Sequence, residues 1–230
     1  MHITILADAD SVAREAARII AAEARKAITE RDRFIAAFSG GRSPVHLLRY
    51  LAGENVPWKM VQVLQADERV MPAGDPDRNL TQLRESLLQH TLLPSGQLHA
   101  MPVEASDLKA AAAQYAATLR QLAGAPPVLD LVHLGLGTDG HTASLVPGDP
   151  VLAITNADVA VTGIYQKRQR MTLTYPVLNR SRCILWVVTG SEKAGMLARL
   201  CSGDVTIPAG KVCQEHALVC ADRAAAAHLG

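Results

Sequence analysis

Short apolar runs alternate with longer segments of helical periodicity along nearly the whole chain. The run at 3–6 predicts a first strand, and the apolar positions between residues 11 and 30 recur at the spacing of a helix. Later apolar runs predict strands at 34–38, 61–66, 97–101, 128–134, 171–174, 183–188 and 217–220. Later periodic segments predict helices at 43–51, 80–88, 106–122 and 191–200. This alternation favours an α/β fold with a mostly parallel sheet flanked by helices.

Composition and charge narrow the class of protein. The chain has 230 residues, 49% hydrophobic and 20% charged, without an internal repeat or a clear linker, so we expect one globular domain over 1–230. A net charge of +1 and an aromatic content of 3% argue against a nucleic-acid-binding surface. The cysteines lack CxxC spacing, and no apolar stretch approaches the roughly 20 residues of a membrane span. We therefore expect a cytoplasmic protein without a nucleic-acid or membrane partner.

Polar segments directly follow three of the predicted strands. They are Ser39-Gly40-Gly41-Arg42-Ser43-Pro44, Ala66-Asp67-Glu68-Arg69 and Gly135-Leu136-Gly137-Thr138-Asp139-Gly140-His141. In an open parallel sheet, ligands bind at the carboxyl ends of the strands. The recurrence of such segments at one edge predicts a composite site there.

The first segment has the features of an anion-binding loop. Gly40 and Gly41 let the backbone approach a ligand closely, and Ser43 followed by Pro44 is a strong helix start whose free N–H groups point back at the loop. Ser39, Ser43 and Arg42 can add hydrogen-bond donors. A tight turn into a capped helix explains the same residues equally well. The Walker A pattern GxxxxGK[ST] is absent.

The third segment formally matches the dinucleotide pattern GxGxxG. The residues after it include Pro147, Gly148 and Pro150, which end any helix within two turns, so we expect no dinucleotide cofactor. The glycine-supported turn does present Asp139 and His141. A histidine in this position is a candidate acid/base, although a histidine that is merely hydrogen-bonded within its loop fits the same pattern.

Two charged clusters have a functional and a structural interpretation. Asp67, Glu68 and Arg69 form either a solvated loop with an internal ion pair or an arginine clamp for an anionic substrate. Lys167, Arg168 and Arg170 form either a solvated face or the positive wall of a phosphate pocket. The other histidines lack ligand spacing, and HExxH and GxSxG are absent, so neither a metal site nor a hydrolase serine is expected.

Several motifs together carry a family resemblance. The chain resembles the 6-phosphogluconolactonase family in five segments, in that family's order. They are Phe-Ser-Gly-Gly-Arg-Ser-Pro at 38–44, Asp-Glu-Arg-Val at 67–70, Asp-Arg-Asn at 77–79, the stretch 134–148 with Asp-Gly-His-Thr-Ala-Ser-Leu, and Arg-Met-Thr-Leu-Thr-Tyr-Pro-Val-Leu-Asn at 170–179. The related glucosamine-6-phosphate deaminases share the glycine loop and Asp-Gly-His. Their next residues differ from Thr142–Pro147 of this chain, which favours the lactonases. Arg42 and Arg78 replace the serines usual in the family, and the prolines usual after Lys167 are missing.

The resemblance implies a fold, a reaction and a set of site residues. The fold is Rossmann-like and is shared with glucosamine-6-phosphate deaminase and ribose-5-phosphate isomerase. The reaction is hydrolysis of 6-phospho-D-glucono-1,5-lactone to 6-phospho-D-gluconate in the oxidative pentose phosphate pathway. We then expect His141 to be the general acid/base, Asp139 or a nearby backbone group to orient it, and Arg69 or glycine-rich backbone to stabilise the oxyanion. The candidate binding residues are Ser39, Gly40, Gly41, Arg42, Ser43, Asp67, Gly137, Lys167, Arg168 and Arg170.

Other functions remain open at this point. An amino-sugar-phosphate isomerase or deaminase on the same fold predicts ammonia release or isomerisation, and a non-catalytic sugar-phosphate sensor predicts binding without turnover. For the lactonase we expect no metal and no cofactor, a small sugar-phosphate lactone as the partner, and a monomer or weak homo-oligomer.

Overall fold

A parallel sheet forms the centre of the molecule. The computed structural model describes residues 1–41 and 45–230 in full and gives, for residues 42–44, only their place in a helix. Within this description, the large sheet has seven strands in the order β1-β10-β9-β6-β2-β3-β5, and all of its neighbours pair in parallel. Its strands are β1 (His2–Leu6), β2 (Phe34–Phe38), β3 (Val61–Gln65), β5 (Leu98–His99), β6 (Leu131–Leu134), β9 (Ile184–Val188) and β10 (Ala217–Asp222).

A small antiparallel sheet lies beside the large one. It has the strand order β4-β8-β7. Its members are short: β4 (Asp67–Arg69), β7 (Val159–Val161) and β8 (Arg170–Leu173). The backbone N–H of Leu173 donates to the carbonyl of Ala66 at 2.8 Å, which ties β8 to the end of β3. The small sheet therefore lies next to the carboxyl edge of the large sheet.

Helices cover both faces of the large sheet. They are α1 (Ala9–Arg31), α2 (Arg42–Ala52), α3 (Asn79–Ser86), α4 (Leu108–Ala123), α5 (Tyr175–Arg180) and α6 (Ala194–Cys201). Along β2, Phe34, Ala36 and Phe38 pack with α1 and α2 in one core, while Ile35 and Ala37 pack in the other core with α4 and α6. Successive strand residues point to opposite faces, so a strand covered on both faces is apolar at every position. None of the described helices is long and apolar enough to cross a membrane.

The expected mostly parallel α/β fold is confirmed, with differences at the ends of elements. The strand predicted at 97–101 shortens to β5. The helix predicted at 43–51 begins at Arg42 with Gly41 in the N-cap position, so Ser43 is not the cap. The helix predicted from Ser191 starts as a 3-10 turn over Ser191–Lys193, with Gly190 before it, and continues as α6.

The small sheet and α5 were not fully predicted. Only β8 corresponds to a predicted strand, whereas the sequence predicts a loop or an arginine clamp at 67–69. Strands of three residues are too short for alternation to be recognised, and the partner of β4 lies about 100 residues away in the chain. Helix α5 has six residues, which is too few to show a helical period.

Candidate active site

A pocket of about 540 Å³ opens at the carboxyl edge of the large sheet. The segments after β2, β6 and β9 line it, together with the end of β10 and two strands of the small sheet. The side chains that matter most for chemistry are Ser39, Asp67, Arg69, Asn79, His133, His141, Arg170, Glu192, Lys193 and Asp222. The predicted composite site is thus present as one cavity, and it combines two histidines, carboxylates and cationic groups.

His141 and Asp139 form a hydrogen-bonded pair. The Nδ1 of His141 lies 2.5 Å from Oδ1 of Asp139, and the His141 backbone N–H donates to the same oxygen at 3.1 Å. Partial burial raises the pKa of Asp139, but the hydrogen bonds from His141 and from the Tyr165 hydroxyl outweigh it and hold this pKa below its ordinary value. Asp139 is therefore an acceptor, which places the proton on Nδ1 and leaves Nε2 to exchange a proton with water.

Glycine makes this pairing possible. The turn closes with hydrogen bonds from the Gly137 N–H to the His141 carbonyl at 2.8 Å and from the Gly140 N–H to the Gly137 carbonyl at 3.1 Å. A Cβ on Gly137 would lie 2.1 Å from Nδ1 of His141 and 2.6 Å from Oδ1 of Asp139. Gly140 has a φ of +81°, in the left-handed region that favours glycine. The GxGxxG match thus reflects a turn that brings a histidine and an aspartate together.

Two arginines lie opposite each other in the small sheet. Arg69 on β4 and Arg170 on β8 are direct partners across the antiparallel pair, and both line the pocket. Like charges in this position repel. Burial lowers the pKa of Arg170, and the nearby Arg69 acts in the same direction. The Nε atoms of both side chains are buried without a hydrogen-bond partner among the described residues. Such a pair is well placed to bind an anion.

Asp67 is a buried carboxyl group at the same wall. Only 4% of the residue is exposed. Its side chain accepts hydrogen bonds from Ser144 Oγ at 2.6 Å and from Asn79 Nδ2 at 3.2 Å. Burial raises the pKa of Asp67, while the Ser144 hydrogen bond and the positive charges of the arginine pair oppose that rise. The carboxyl group partly balances the arginine charge inside the pocket.

The glycine loop after β2 forms another part of the wall. Ser39 Oγ is buried and has no hydrogen-bond partner among the described residues. A Cβ on Gly40 would lie 1.8 Å from Oδ1 of Asn79, so only glycine fits there. Gly41 has a φ of +125°, and its N–H donates to Gln82 Oε1 at 3.2 Å. The side chains of Arg42 and Ser43, both predicted to bind phosphate, lie outside the described residues.

The basic cluster at 167–170 is divided in the structure. Arg170 lines the pocket, as described above. Lys167 is exposed and is not among the pocket residues, and Arg168 forms an ion pair with Asp77 at 2.7 Å. Of the three candidates, the structure therefore brings only Arg170 to the pocket.

Glu68 is a structural residue rather than part of a solvated loop. It is fully buried and accepts hydrogen bonds from the backbone N–H groups of Asn79 and Leu80 at 2.8 Å and 2.9 Å, which cap the first turn of α3. Its ion-pair partner is Arg78 at 3.4 Å, which corrects the expected pairing within 67–69. Arg78 also bonds the exposed Glu104, so this departure from the family pattern belongs to an ion-pair network that links buried Glu68 to the surface.

Sequence reasoning missed several pocket residues. Glu192 and Lys193 enter the pocket after β9, and Asp222 ends β10, where it accepts a hydrogen bond from the Gly190 N–H at 3.1 Å. Residues 189–193 directly follow β9, and polar residues at the carboxyl ends of parallel strands are candidate site residues. This rule predicts Lys193. His133 is also at the pocket, and burial lowers its pKa to about 4.

The family of the chain is shown by comparison with known proteins. The model of the family described as "Glucosamine-6-phosphate isomerases/6-phosphogluconolactonase" matches residues 7–220. The chain belongs to this family. The 6-phosphogluconolactonase of Mycobacterium bovis is 36% identical over 241 residues, covering 99% of this chain and 98% of that protein. The 6-phosphogluconolactonase of Synechocystis is 37% identical over 179 residues, covering 76% of this chain and 74% of that protein.

Solved structures support the same family. The 6-phosphogluconolactonase of Thermotoga maritima has a TM-score of 0.84 at 27% identity, covering 96% of this chain and 98% of that chain. A monomeric glucosamine-6-phosphate deaminase of the NagB superfamily has a TM-score of 0.85 at 20% identity, covering 99% of this chain and all of that chain. The second likeness shows the shared fold, as the resemblance in sequence implied.

Proposed function

We propose that this protein hydrolyses 6-phospho-D-glucono-1,5-lactone to 6-phospho-D-gluconate, with His141 as the general acid/base. Family membership and the near-full-length 6-phosphogluconolactonase relatives support the reaction. The observation that carries the role of His141 is its hydrogen bond to Asp139 in a pocket that also holds two arginines.

The proposed reaction needs one proton carrier. Nε2 of His141 takes a proton from water as the water oxygen attacks the C1 carbonyl of the lactone. Asp139 stabilises the imidazolium that forms, because its carboxylate already holds the Nδ1 proton. When the tetrahedral intermediate breaks down, the ring oxygen leaves and takes the proton back from Nε2. A lactone is a reactive ester, so this chemistry requires neither a metal ion nor a covalent intermediate.

The cationic groups are proposed to hold the two negative charges of the reaction. Arg170, with Lys193 and the loop from Ser39 to Ser43, binds the phosphate. Arg69, opposite Arg170, stabilises the oxyanion at C1. Its guanidinium suits this role better than the Gly137 N–H, which already donates to the His141 carbonyl. Asp67 balances the arginines.

The setting of the enzyme is part of the proposal. We infer a single domain that works in the cytoplasm on a small sugar-phosphate lactone, as a monomer or weak homo-oligomer. The single domain and the cytoplasmic location rest on the sequence composition, and the substrate rests on the names of the relatives.

A direct assay tests the reaction. Freshly generated lactone is added to the purified protein, and proton release is followed above the spontaneous rate. His141→Ala should lower kcat by ~100-fold or more with a modest change in KM, since an acid/base contributes about 10²–10⁴-fold. Ammonia release from an amino-sugar phosphate, without lactone hydrolysis, would instead identify a deaminase. Near-native kcat in a folded His141→Ala variant would remove His141 from the mechanism.

A further inference from the structure

We propose that Tyr165 is a positioning residue for the His141–Asp139 pair: its hydroxyl holds the aspartate carboxylate in the orientation that catalysis requires. This inference rests on the proposed function and adds a third member to its acid/base machinery. Tyr165 is not among the pocket residues, so it acts through Asp139 rather than on the substrate.

Three contacts place Tyr165 between the catalytic pair and the arginine pair. Its hydroxyl donates to Oδ2 of Asp139 at 2.9 Å. Its ring meets the His141 imidazole edge to face, with the centroids 5.6 Å apart. The guanidinium carbon of Arg170 lies 5.0 Å from the centre of the same ring. One side chain thus contacts the proposed base, its carboxylate partner and the proposed phosphate ligand.

The carboxylate of Asp139 needs a second anchor. Its side chain is 35% exposed, so solvent reaches it and water can compete for its oxygens. His141 engages Oδ1 alone, and the carboxylate can rotate about its last bond unless Oδ2 is also held. The Tyr165 hydroxyl supplies that hold. Burial and the Asp139 hydrogen bond both raise the pKa of Tyr165, so the hydroxyl stays protonated and remains a donor.

The segment that departs from the family pattern builds this contact. Tyr165 and Arg168 exchange backbone hydrogen bonds at 2.9 Å and 3.1 Å, which close a tight turn. Gln166 and Lys167 occupy the left-handed region at φ values of +49° and +67°. The ion pair of Arg168 with Asp77 ties the turn to the segment before α3. Lys167 and Arg168 therefore belong to a tight turn that presents Tyr165, in the segment where the family usually has prolines.

The variant Tyr165→Phe removes the hydroxyl and keeps the ring. We expect kcat to fall about 10- to 150-fold, as the loss of one hydrogen bond to a charged group implies, with little change in KM. The second readout is independent of turnover. In the proton NMR spectrum of the free protein, the short Nδ1–H···Oδ1 hydrogen bond gives a downfield resonance, assigned by its loss in His141→Ala. In Tyr165→Phe this resonance should shift or broaden.

Tyr50→Phe is a matched control. The Tyr50 hydroxyl also donates to an aspartate, Asp10 Oδ1, at 2.5 Å, and Arg14 lies over its ring at 4.2 Å. Tyr50 is not among the residues that line the 540 Å³ pocket. This variant loses the same kind of contact, so both kcat and the downfield resonance should stay at their native values.

The outcomes separate the inference from the proposed function. Native kcat together with an unchanged resonance in Tyr165→Phe overturns the positioning role. A higher KM at native kcat also overturns it, because Tyr165 would then serve substrate binding through Arg170. If the native protein does not hydrolyse the lactone, the proposed function fails, yet the resonance still reports whether Tyr165 holds the pair.

Discussion

At the scale of single residues, the site depends on which side chains are absent as much as on which are present. Gly137 contributes no side chain, and a Cβ at this position would lie 2.1 Å from Nδ1 of His141 and 2.6 Å from Oδ1 of Asp139. Asp139, Tyr165 and the turn backbone then determine the ring orientation and the position of the Nδ1 proton. The acid/base role proposed for His141 is therefore a property of its turn.

Gly137→Ala tests this dependence without touching a catalytic group. The added Cβ would lie 2.1 Å from Nδ1 of His141, so the imidazole must move away from Asp139. We expect kcat to fall by ~100-fold or more, close to the loss in His141→Ala, because both remove the positioned base. The control is Gly195→Ala in α6, where a Cβ meets nothing within 4 Å. Steady-state kinetics on the lactone distinguish them, and equal activity in the two variants would contradict the account.

At the scale of elements, the β4–β8 pair brings together the two arginines of the proposed anion site. Two short strands bring Arg69 and Arg170 opposite each other, at a cost in charge repulsion that an anionic ligand relieves. The helix-capping role of Glu68 on the same strand fixes α3 and with it Asn79, which bonds Asp67. One three-residue strand thus carries alternate binding and structural roles.

Arg170→Met tests the anion site at this pair. The substitution keeps much of the apolar stem and removes the charge, so KM for the lactone should rise by about tenfold or more, with a smaller effect on kcat. The increase should shrink at high salt, since screening weakens the native contact. Arg168→Met is the control: its partner is the exposed Asp77 outside the pocket, and KM should change little. A larger effect at Arg168 than at Arg170 would contradict the assignment.

At the scale of the whole molecule, the parallel sheet buries polar groups at the edge where ligands bind. His133 illustrates this, because it lies on β6 with both ring nitrogens buried and unpartnered among the described residues. Such a histidine stays neutral in the folded protein well below the pH at which it protonates in the unfolded chain. The free energy of unfolding therefore depends on pH through a histidine that lines the pocket.

The sign of that linkage is a prediction. The pKa of His133 falls from 6.5 to about 4 on folding. Between these values the unfolded chain binds a proton that the folded protein does not, so the free energy of unfolding should decrease as pH falls from 6.5 to 4. The loss is on the order of 3 kcal/mol at ~1.4 kcal/mol per pKa unit. Urea unfolding at several pH values should show it, and His133→Leu should remove this part of the slope. An unchanged slope in His133→Leu would exclude His133 as its source.

Much of this protein is determined locally by its sequence. Apolar runs and helical periods are local properties of the chain, so they predict the strands of the large sheet and its main helices. Because ligands bind at the carboxyl ends of parallel strands, the same pattern also predicts that Ser39, Asp67 and His141 line one pocket. The Asp139–His141 pair could also be predicted from the sequence, because a single residue, Gly140, separates the two partners within a glycine turn.

Only the tertiary structure decided the remaining features, because they depend on contacts between distant parts of the chain. The Arg69–Arg170 pair joins strands about 100 residues apart. The same strand pairing brings Arg170 to the pocket, whereas Lys167 and Arg168 do not line it. The burial of Glu68 and its pairing with Arg78 follow from where α3 packs. Tyr165 reaches Asp139 through a tight turn that no periodicity marks. Local patterns specify elements, whereas charge pairing and burial depend on how those elements pack.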